Sequence, residues 1–507
     1  SLYPSDEYVE ITAYHYARTQ DPEAADWLER AGDRAARTYA NDSAIAHYAD
    51  AADRLNATSP AIAARLDEKL GTVLTAGRYD EALTRFDRAA DVYKHHRDLE
   101  SAGRVTAALG MTHRYRFSLD EGIGRVQPMI DLLSWSGPSE ALAALYISLA
   151  NLYFSAGAYA ETLSAAEQAT EIAQTIGNDR LRGEAEERRG SALGHVRGAE
   201  EGVKILEDAI PLIEASGDLL ALFRAVNNLG YYHWLQGRMD LQRPRAAQGV
   251  DLAVRAGNPD QLIFSLVNAS DVYFYLGDWS TAEEYVRRAA AVPGSGSEEH
   301  TLLKQQGQLA MCEGRWDEAA RLLTRAVATA VERGTRQGVE QGEAAAAELT
   351  TLRGNAADAV RRLAPLAGDE NVDAAVLPAL GWAYTETGDL DAAESIISRC
   401  LSHLPRHGRI YLPDTLRALG LLRRRQGRPD EAARALTEGL EVARGIPYPY
   451  AEARILADLG ELLMDRGETR EAREHLDEAL GIFERLGAAK DVERVETLLG
   501  GVGVAVD

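Results

Sequence analysis

A turn phrase that returns about every 40 residues constrains this chain more than any other feature. In the stretch Gly77–Leu83, GRYDEAL, a turn glycine and an aromatic ring precede two acids that start an apolar helical face. Variants follow Gly157, Gly277, Gly314, Gly388, Gly427 and Gly467. A phrase copied along a whole chain marks one supersecondary unit, repeated. We therefore expect a linear array of about twelve units.

Small residues recur at fixed distances from this turn. Seven residues before it a glycine is common, as at Gly307, Gly420 and Gly460, although the second unit has Leu70 there. Five residues after it alanine recurs, at Ala82, Ala319, Ala359, Ala393, Ala432 and Ala472. Small side chains let two helices approach closely, and the apolar residues between them follow helical spacing. The pattern predicts antiparallel helix pairs.

This pattern resembles the tetratricopeptide repeat, whose paired helices carry small residues at these positions and a turn with glycine, tyrosine and glutamate-alanine. The resemblance covers nearly the whole chain. It implies an all-α fold: a tetratricopeptide-like α-solenoid of about twelve helical hairpins, more than about 70% helical and without a sheet. The usual repeat has 34 residues, so most units here are longer, with a period near 40.

Residues 13–55, which begin AYHYARTQDPEAADWLERAGD, resemble a particular junction, the start of the repeat region in large bacterial signal-transduction ATPases. That group includes LuxR-type transcription activators and ATPase-linked adenylate cyclases. In it a nucleotide-binding module precedes the repeats, so the resemblance implies an ATPase module of the same polypeptide as a partner. The chain begins at Ser1 without methionine, and we expect it to be a segment of something longer.

Interruptions in the repeat suggest how the array is divided. We expect an N-terminal array, units one to seven, over residues 1–292, and a C-terminal array, units eight to twelve, over 293–499, in one continuous superhelix. The glycine- and serine-rich residues 293–297 form the candidate flexure. Residues 500–507 are expected to be a disordered tail. Further interruptions are Pro244, expected to delay a helix start, and the stretches 404–414 and 445–450.

Charge and cysteine content limit the possible partners. The formal net charge is −24, which disfavours direct binding to nucleic acid. No apolar run is long enough to cross a membrane, and no secretory signal is present. Two cysteines, Cys312 and Cys400, imply no disulfide framework, which fits a cytoplasmic protein.

Motifs for catalysis or cofactor binding are missing from the sequence. There is no phosphate-binding loop, no HExxH motif and no EF-hand loop. Cys400, His403 and His407 have spacings that suit zinc. However, Cys400 occupies a recurring small core position, and Pro405 interrupts the helix. We therefore predict a buried thiol, no metal, no cofactor and no catalytic activity.

A basic group in unit eleven stands out in this acidic chain. Arg417, Arg424 and Arg425 could dock an acidic partner surface or the ATPase module. The alternative, favoured here, is a set of ion pairs with neighbouring acids.

The concave face of the array is the main candidate for binding, because the resemblance places the first helix of each pair there. Register then assigns aromatic and polar residues of units four to seven to a groove. They are Asn151, Phe154, Asn227, Tyr231, Trp234, Asp271 and Phe274, and His195, Arg224 and Tyr275 adjoin them. The alternative is that some of these rings pack between helices as core.

The sequence thus favours binding over catalysis. We expect the sensor or interaction region of a bacterial multidomain regulator, which receives a peptide, protein or small-molecule inducer in its groove and controls an ATPase or transcription effector. A constitutive protein–protein scaffold is the alternative, and an enzyme of unrecognised type is the least favoured.

Overall fold

The computed structural model describes residues 8–38, 40–293, 298–369 and 372–504, without the side chains of residues 403, 405–407 and 502–504. The described residues are 84% helical and form 26 α-helices and no strand. The predicted all-α solenoid is therefore confirmed. Tyr39, the turn position of the first unit, lies outside the described residues.

The first eleven helices carry the N-terminal repeats, and a short 3₁₀ helix, Ser134–Ser136, follows α7. Their bounds are α1 Val9–Tyr16, α2 Ala24–Arg37, α3 Asn41–Leu55, α4 Pro60–Leu74, α5 Tyr79–His95, α6 Leu99–Arg116, α7 Leu119–Leu133, α8 Glu140–Ser155, α9 Tyr159–Ile176, α10 Asp179–Val196 and α11 Ala199–Ser216.

Fifteen further helices follow in the described residues, with a 3₁₀ helix, Arg409–Tyr411, before α22. Their bounds are α12 Leu219–Leu235, α13 Met239–Ala256, α14 Pro259–Tyr275, α15 Trp279–Ala290, α16 Glu299–Cys312, α17 Trp316–Arg333, α18 Arg336–Leu352, α19 Ala356–Leu363, α20 Val376–Thr387, α21 Leu390–His407, α22 Leu412–Arg425, α23 Pro429–Gly445, α24 Pro449–Asp465, α25 Thr469–Leu486 and α26 Ala489–Val504.

The helices form two layers. Most helices pack against the next one along the chain, and even-numbered helices also pack against the next even-numbered helix, for example α14 on α16 and α22 on α24. The even-numbered helices are the first members of the hairpins, so they form the inner layer. This is the stacking of one repeat on its neighbour that a solenoid requires.

Close helix approach explains the recurring small residues. A methyl group on Gly420 would lie 2.5 Å from Leu436 Cγ, and one on Gly460 would lie 2.6 Å from Leu476 Cγ. Any side chain there would push the two helices of a hairpin apart. Ala432 and Ala472, five residues after the turn, are fully buried at the same contacts.

The turn itself combines a left-handed glycine with backbone bonds that close the helix end. Gly467 has φ +76°, which glycine adopts without steric cost. The Glu468 N–H donates to the Leu463 carbonyl at 2.9 Å, the long-range bond of a Schellman motif. In two units an aspartate follows the glycine and caps the next helix: Asp278 accepts from the Thr281 N–H, and Asp389 from that of Ala392.

The contacts divide the chain into two compact units. Unit one comprises Ser1–Val196 and Lys204–Ala221, and unit two comprises Arg197–Val203 and Leu222–Asp507. This division differs from the boundary expected between residues 292 and 293. The physical reason is that α16 packs on both α14 and α15, so the stack continues across that point. Residues 294–297 of the expected flexure lie outside the described residues.

Two local expectations need correction. Pro244 does not delay α13, which begins at Met239 and contains the proline. Near a helix start a missing N–H frees only the carbonyl four residues earlier, here that of the exposed Asp240.

At the C-terminal end of the chain, α26 continues to Val504, so residues 500–504 of the expected disordered tail are helical. Residues 505–507 lie outside the described residues.

Within unit two, three consecutive turns pack against helices far ahead in the chain. A methyl group on Gly277 would lie 2.6 Å from Pro449 Cγ and 2.8 Å from Leu486 Cδ2. The other two turns have similar neighbours: Gly237 faces Ile446, and Gly314 faces Lys490. Unit two therefore closes on itself, with the ends of α12, α14 and α16 against the regions where α24 and α26 begin.

Candidate functional site: the inner cluster

The closure of unit two brings aromatic and charged side chains from distant repeats together. We call them the inner cluster: Tyr231, Trp234, Asp271, Tyr275, Glu348, Tyr411, Asp414, Tyr448 and Arg454. Most of them project from the even-numbered helices α12, α14, α18, α22 and α24, while Tyr411 and Tyr448 directly precede α22 and α24. They are the side chains of the inner layer where its two ends meet.

Trp234 is the centre of the aromatic part. Its ring stacks on Tyr231 at 5.9 Å between centroids and meets Tyr275 edge-on at 5.6 Å. It also meets Tyr411 at 5.6 Å and 88°, and Tyr275 lies 4.8 Å from Tyr448. Edge-on and offset contacts of this kind are the favoured arrangements of aromatic rings. Tyr231, Trp234 and Tyr411 remain partly exposed.

Three carboxylates belong to the same cluster. The side chains of Glu348 and Asp414 are each 27% exposed, and Asp271 is partly exposed. Burial raises the pKa of the Asp271 and Asp414 carboxyls above their ordinary value. The pKa of Tyr275 is also raised, first by burial and then by the charges of Asp271, Asp414 and Glu348. Asp271 also lies one helical turn before Tyr275 on α14, on the same helix face.

The guanidinium of Arg454 pairs with two carboxylates, those of Glu348 and Asp414, where α24 approaches α18 and α22. The Nη1 of Arg454 lies 2.6 Å from Glu348 Oε1 and 3.6 Å from Asp414 Oδ1. The Arg454 side chain is only 3% exposed, and its guanidinium stacks over Trp382. A buried cation between two carboxylates fixes helices that are more than a hundred residues apart in sequence, since removing it would leave buried charge uncompensated.

Asp271 is different, because it forms no ion pair with any residue that the structure describes. Burial is the largest influence on its pKa, and the charge of Lys304 lowers that pKa in part. Gln305 is fully buried, donates from Nε2 to Ser270 Oγ at 3.2 Å, and leaves Oε1 without a hydrogen-bond partner among the described residues. This corner of the cluster thus has acceptor capacity that the chain does not use.

Comparison with known proteins agrees with this architecture. Residues 417–486, within α22 to α25, and residues 302–337, from α16 into α18, match the tetratricopeptide repeat family. The chain contains tetratricopeptide repeats. Such repeats are protein-interaction modules and typically non-catalytic.

One curated protein is similar to this chain in sequence, and one solved structure is similar to it in fold. Over 306 residues, 58% of this chain, the sequence is 30% identical to the regulatory protein AfsR of Streptomyces griseus, and the match covers 30% of that protein. The chain thus spans less than a third of the relative's length. The fold is similar to that of the APC/C hetero-tetramer Cut9–Hcn1, with a TM-score of 0.52 and 13% identity over 99% of this chain and 93% of the other.

Three residues assigned to the groove of the tetratricopeptide array belong to unit one. Asn151 was expected on the exposed face but is buried, and its Nδ2 donates to the Ile147 carbonyl at 2.8 Å. Phe154 and His195 are partly exposed. The His195 ring lies parallel to that of Tyr159 at 4.0 Å. These residues are therefore not part of the inner cluster.

The other seven assigned residues belong to unit two, and four of them join the inner cluster. Those four are Tyr231, Trp234, Asp271 and Tyr275. Arg224 and Asn227 are partly exposed on α12, where Asn227 Oδ1 accepts from Asn268 Nδ2 at 3.3 Å. Phe274 was expected in the groove but is buried, stacked on Trp279. Tyr275 is also buried, although its ring faces the cluster.

Register within one repeat did not reveal the remaining members of the cluster. Tyr411 and Asp414 lie in or beside the interrupted stretch 404–414, and Tyr448 lies in 445–450. The sequence does carry one signal for these residues, because Tyr411 and Tyr448 are aromatic residues beside prolines where the tetratricopeptide pattern is interrupted. Glu348 and Arg454 had no such signal.

The arginines proposed for partner docking bond to acids of the chain itself. The partners are Asp458 for Arg417, Asp465 and Glu461 for Arg424, and Glu386 for Arg425. Arg417 is buried, so its assignment to a docking surface is wrong. Its Nε reaches Asp458 Oδ2 at 2.6 Å, as the ion-pair alternative predicts.

The described residues hold neither a convergent metal site nor a helix suited to crossing a membrane. Cys400 is buried and its thiol lies 3.4 Å from Thr415 Oγ1, as predicted for a core thiol; the side chains of His403 and His407 lie outside the described residues. Among the described side chains no group of three or more metal ligands converges. None of the described helices combines the length and apolarity needed to cross a bilayer.

Proposed function

We propose that this array is the sensing or interaction region of a bacterial multidomain regulator, and that it controls an ATPase or transcription effector in the same polypeptide. The observation that carries the proposal is the similarity to the regulatory protein AfsR over 58% of the chain. The resemblance of residues 13–55 to the junction of signal-transduction ATPases also supports it.

The closure of unit two suggests how such control works. The inner cluster holds together helices that are distant in sequence, through Arg454 and through the contacts of Trp234. A ligand that binds one arrangement of these helices better than another shifts the equilibrium between them. The change in helix arrangement then alters the activity of the attached effector module. The inducer is a peptide, a protein or a small molecule, and no catalytic step is assigned to the array.

A test uses the complete gene product and two matched substitutions. Arg454→Met removes the buried cation of the inner cluster, while Arg470→Met changes an arginine whose side chain is 92% exposed. If unit two controls the effector, Arg454→Met changes basal nucleotide hydrolysis or reporter transcription several-fold, and Arg470→Met leaves it unchanged. Equal effector output in both variants, with partners still assembled, would instead identify a constitutive scaffold.

A further inference from the structure

The part of the inner cluster around Asp271 has a definite ligand chemistry. We infer that Asp271, together with the rings of Tyr231, Trp234 and Tyr411, binds an organic cation: a guanidinium or alkylammonium group. The inference rests on the proposed function, since it names the chemical class of the inducer. Neither register nor the comparisons assign it.

The first argument is charge. Asp271 is a carboxylate without an ion-pair partner among the described residues, and it is partly exposed. Within the same cluster Glu348 and Asp414 share Arg454, so the acids outnumber the cations. The charge of Lys304 lowers the pKa of Asp271 in part. A positive group placed beside Asp271 would therefore relieve both the local excess of negative charge and the burial of that carboxylate.

The second argument is the aromatic surface. Tyr231, Trp234 and Tyr411 present rings from two different parts of the chain, and each ring retains some exposure. Asp271 lies one helical turn before Tyr275 on α14, and the Tyr275 ring contacts Trp234, so the carboxylate lies on the helix face that meets these rings. A cation is attracted to the face of an aromatic ring, most strongly to that of tryptophan. Rings and carboxylate thus favour the same kind of ligand.

The third argument is unused hydrogen-bond capacity. Gln305 is fully buried, and its Oε1 accepts no hydrogen bond from a described residue. Its Nε2 donates to the hydroxyl of Ser270, the residue directly before Asp271. The free amide oxygen and the Asp271 carboxylate are both acceptors, and a guanidinium offers five N–H donors with no acceptor. An anionic or purely apolar ligand would leave both unsatisfied.

A binding experiment on the full chain tests the inference. The probes are agmatine and a capped pentapeptide with a central arginine, and the controls are the same peptide with glutamine or glutamate at its centre. Tryptophan fluorescence and calorimetry report binding. At least one arginine-like probe should bind tenfold or more tightly than the glutamine peptide. Tighter binding of the peptide than of agmatine would indicate a peptide side chain, and the reverse a small amine.

The matched variants are Asp271→Asn and Asp251→Asn. The first removes the charge of the site at nearly constant shape, and the second removes the charge of an exposed acid that is paired only with Arg255. Asp271→Asn should weaken binding of the cationic probe tenfold or more with an unchanged melting temperature, and Asp251→Asn should have no effect. Equal binding of arginine and glutamine peptides, no binding of either cation, or equal affinity in both variants would overturn the inference. Control of the effector is measured separately, so it can stand if cation binding fails.

Discussion

Single residues of the inner cluster connect repeats that are far apart, and Trp234 does so most directly. It contacts Tyr231 on its own helix, Tyr275 in the next repeat and Tyr411 from a later one. Trp234→Ala should therefore destabilise unit two by about 3 kcal/mol, near the lower end for a buried aromatic ring because Trp234 is partly exposed. Trp234→Phe should recover much of the loss. Urea unfolding followed by circular dichroism measures both, and an unchanged midpoint for Trp234→Ala would show that the ring contacts do not stabilise the unit.

Arg454 gives a second prediction at this scale. Its removal leaves Glu348 and Asp414 facing each other without a cation. We expect Arg454→Met to cost about 3–5 kcal/mol of unfolding free energy, the usual effect of breaking a buried ion pair. The double variant Glu348→Gln with Arg454→Met should recover part of that loss. If the double variant is no more stable than Arg454→Met alone, the cost comes from lost packing over Trp382 and not from charge.

His233, next to Trp234, predicts a pH dependence. Burial, followed by the charges of Arg245 and Arg238, lowers its pKa from 6.5 to about 4. Between these two values the unfolded chain binds the proton and the folded chain does not, so stability falls as the pH drops from 6.5 to 4. Above pH 6.5 the residue contributes no slope. Melting temperatures of wild type and His233→Gln should diverge over this window, and parallel curves would contradict the prediction.

Part of the inner cluster was accessible from the sequence and part was not. Register placed Tyr231, Trp234 and Asp271 on the inner face because each helix turn repeats a known geometry. Arg454 and Tyr448 could not be paired with them, because that contact depends on a small rotation per repeat summed over about six repeats. A sequence pattern specifies each hairpin, but not the accumulated angle.

At the scale of elements, the turn glycines share a conformation but not an environment. Gly277 and Gly467 have nearly equal φ, +77° and +76°. A methyl group on Gly467 meets nothing within 4 Å, whereas one on Gly277 meets Pro449 and Leu486. The repeat phrase predicted the turns themselves, since the left-handed glycine is a local requirement. It could not distinguish turns that face solvent from turns that face another helix.

This difference predicts unequal effects of the same substitution. Gly467→Ala should cost about 1 kcal/mol, the strain of a left-handed alanine. Gly277→Ala should cost about 1–3 kcal/mol more, since the methyl group also overpacks the contact with α24 and α25. Thermal and chemical unfolding of the two variants measure the difference. Equal losses would mean that the contacts closing unit two rearrange around the added methyl group without lowering the free energy of unfolding.

At the scale of the whole molecule, the division into two units predicts where destabilisation spreads. Repeats gain stability mainly from their neighbours, and in unit two the closure adds contacts between its ends. Arg454→Met should therefore accelerate hydrogen exchange throughout the described residues beyond 222, including α12 and α14, which are far from residue 454 in sequence. Exchange in α2 to α9 should stay near the wild-type rate. Acceleration confined to α18, α22 and α24 would show that the closure does not make unit two cooperative.

The three turns at Gly237, Gly277 and Gly314 also have a consequence for how such a gene can change. Arrays of this kind evolve by duplicating or losing whole copies of their unit. A copy inserted between Gly314 and Ile446 would rotate Ile446, Pro449 and Lys490 away from the turns they now meet. A copy inserted before residue 197 would leave those contacts intact. We therefore expect the number of repeats between Gly237 and Lys490 to stay constant among descendants of this gene. The number of repeats before residue 197 can change without affecting these contacts.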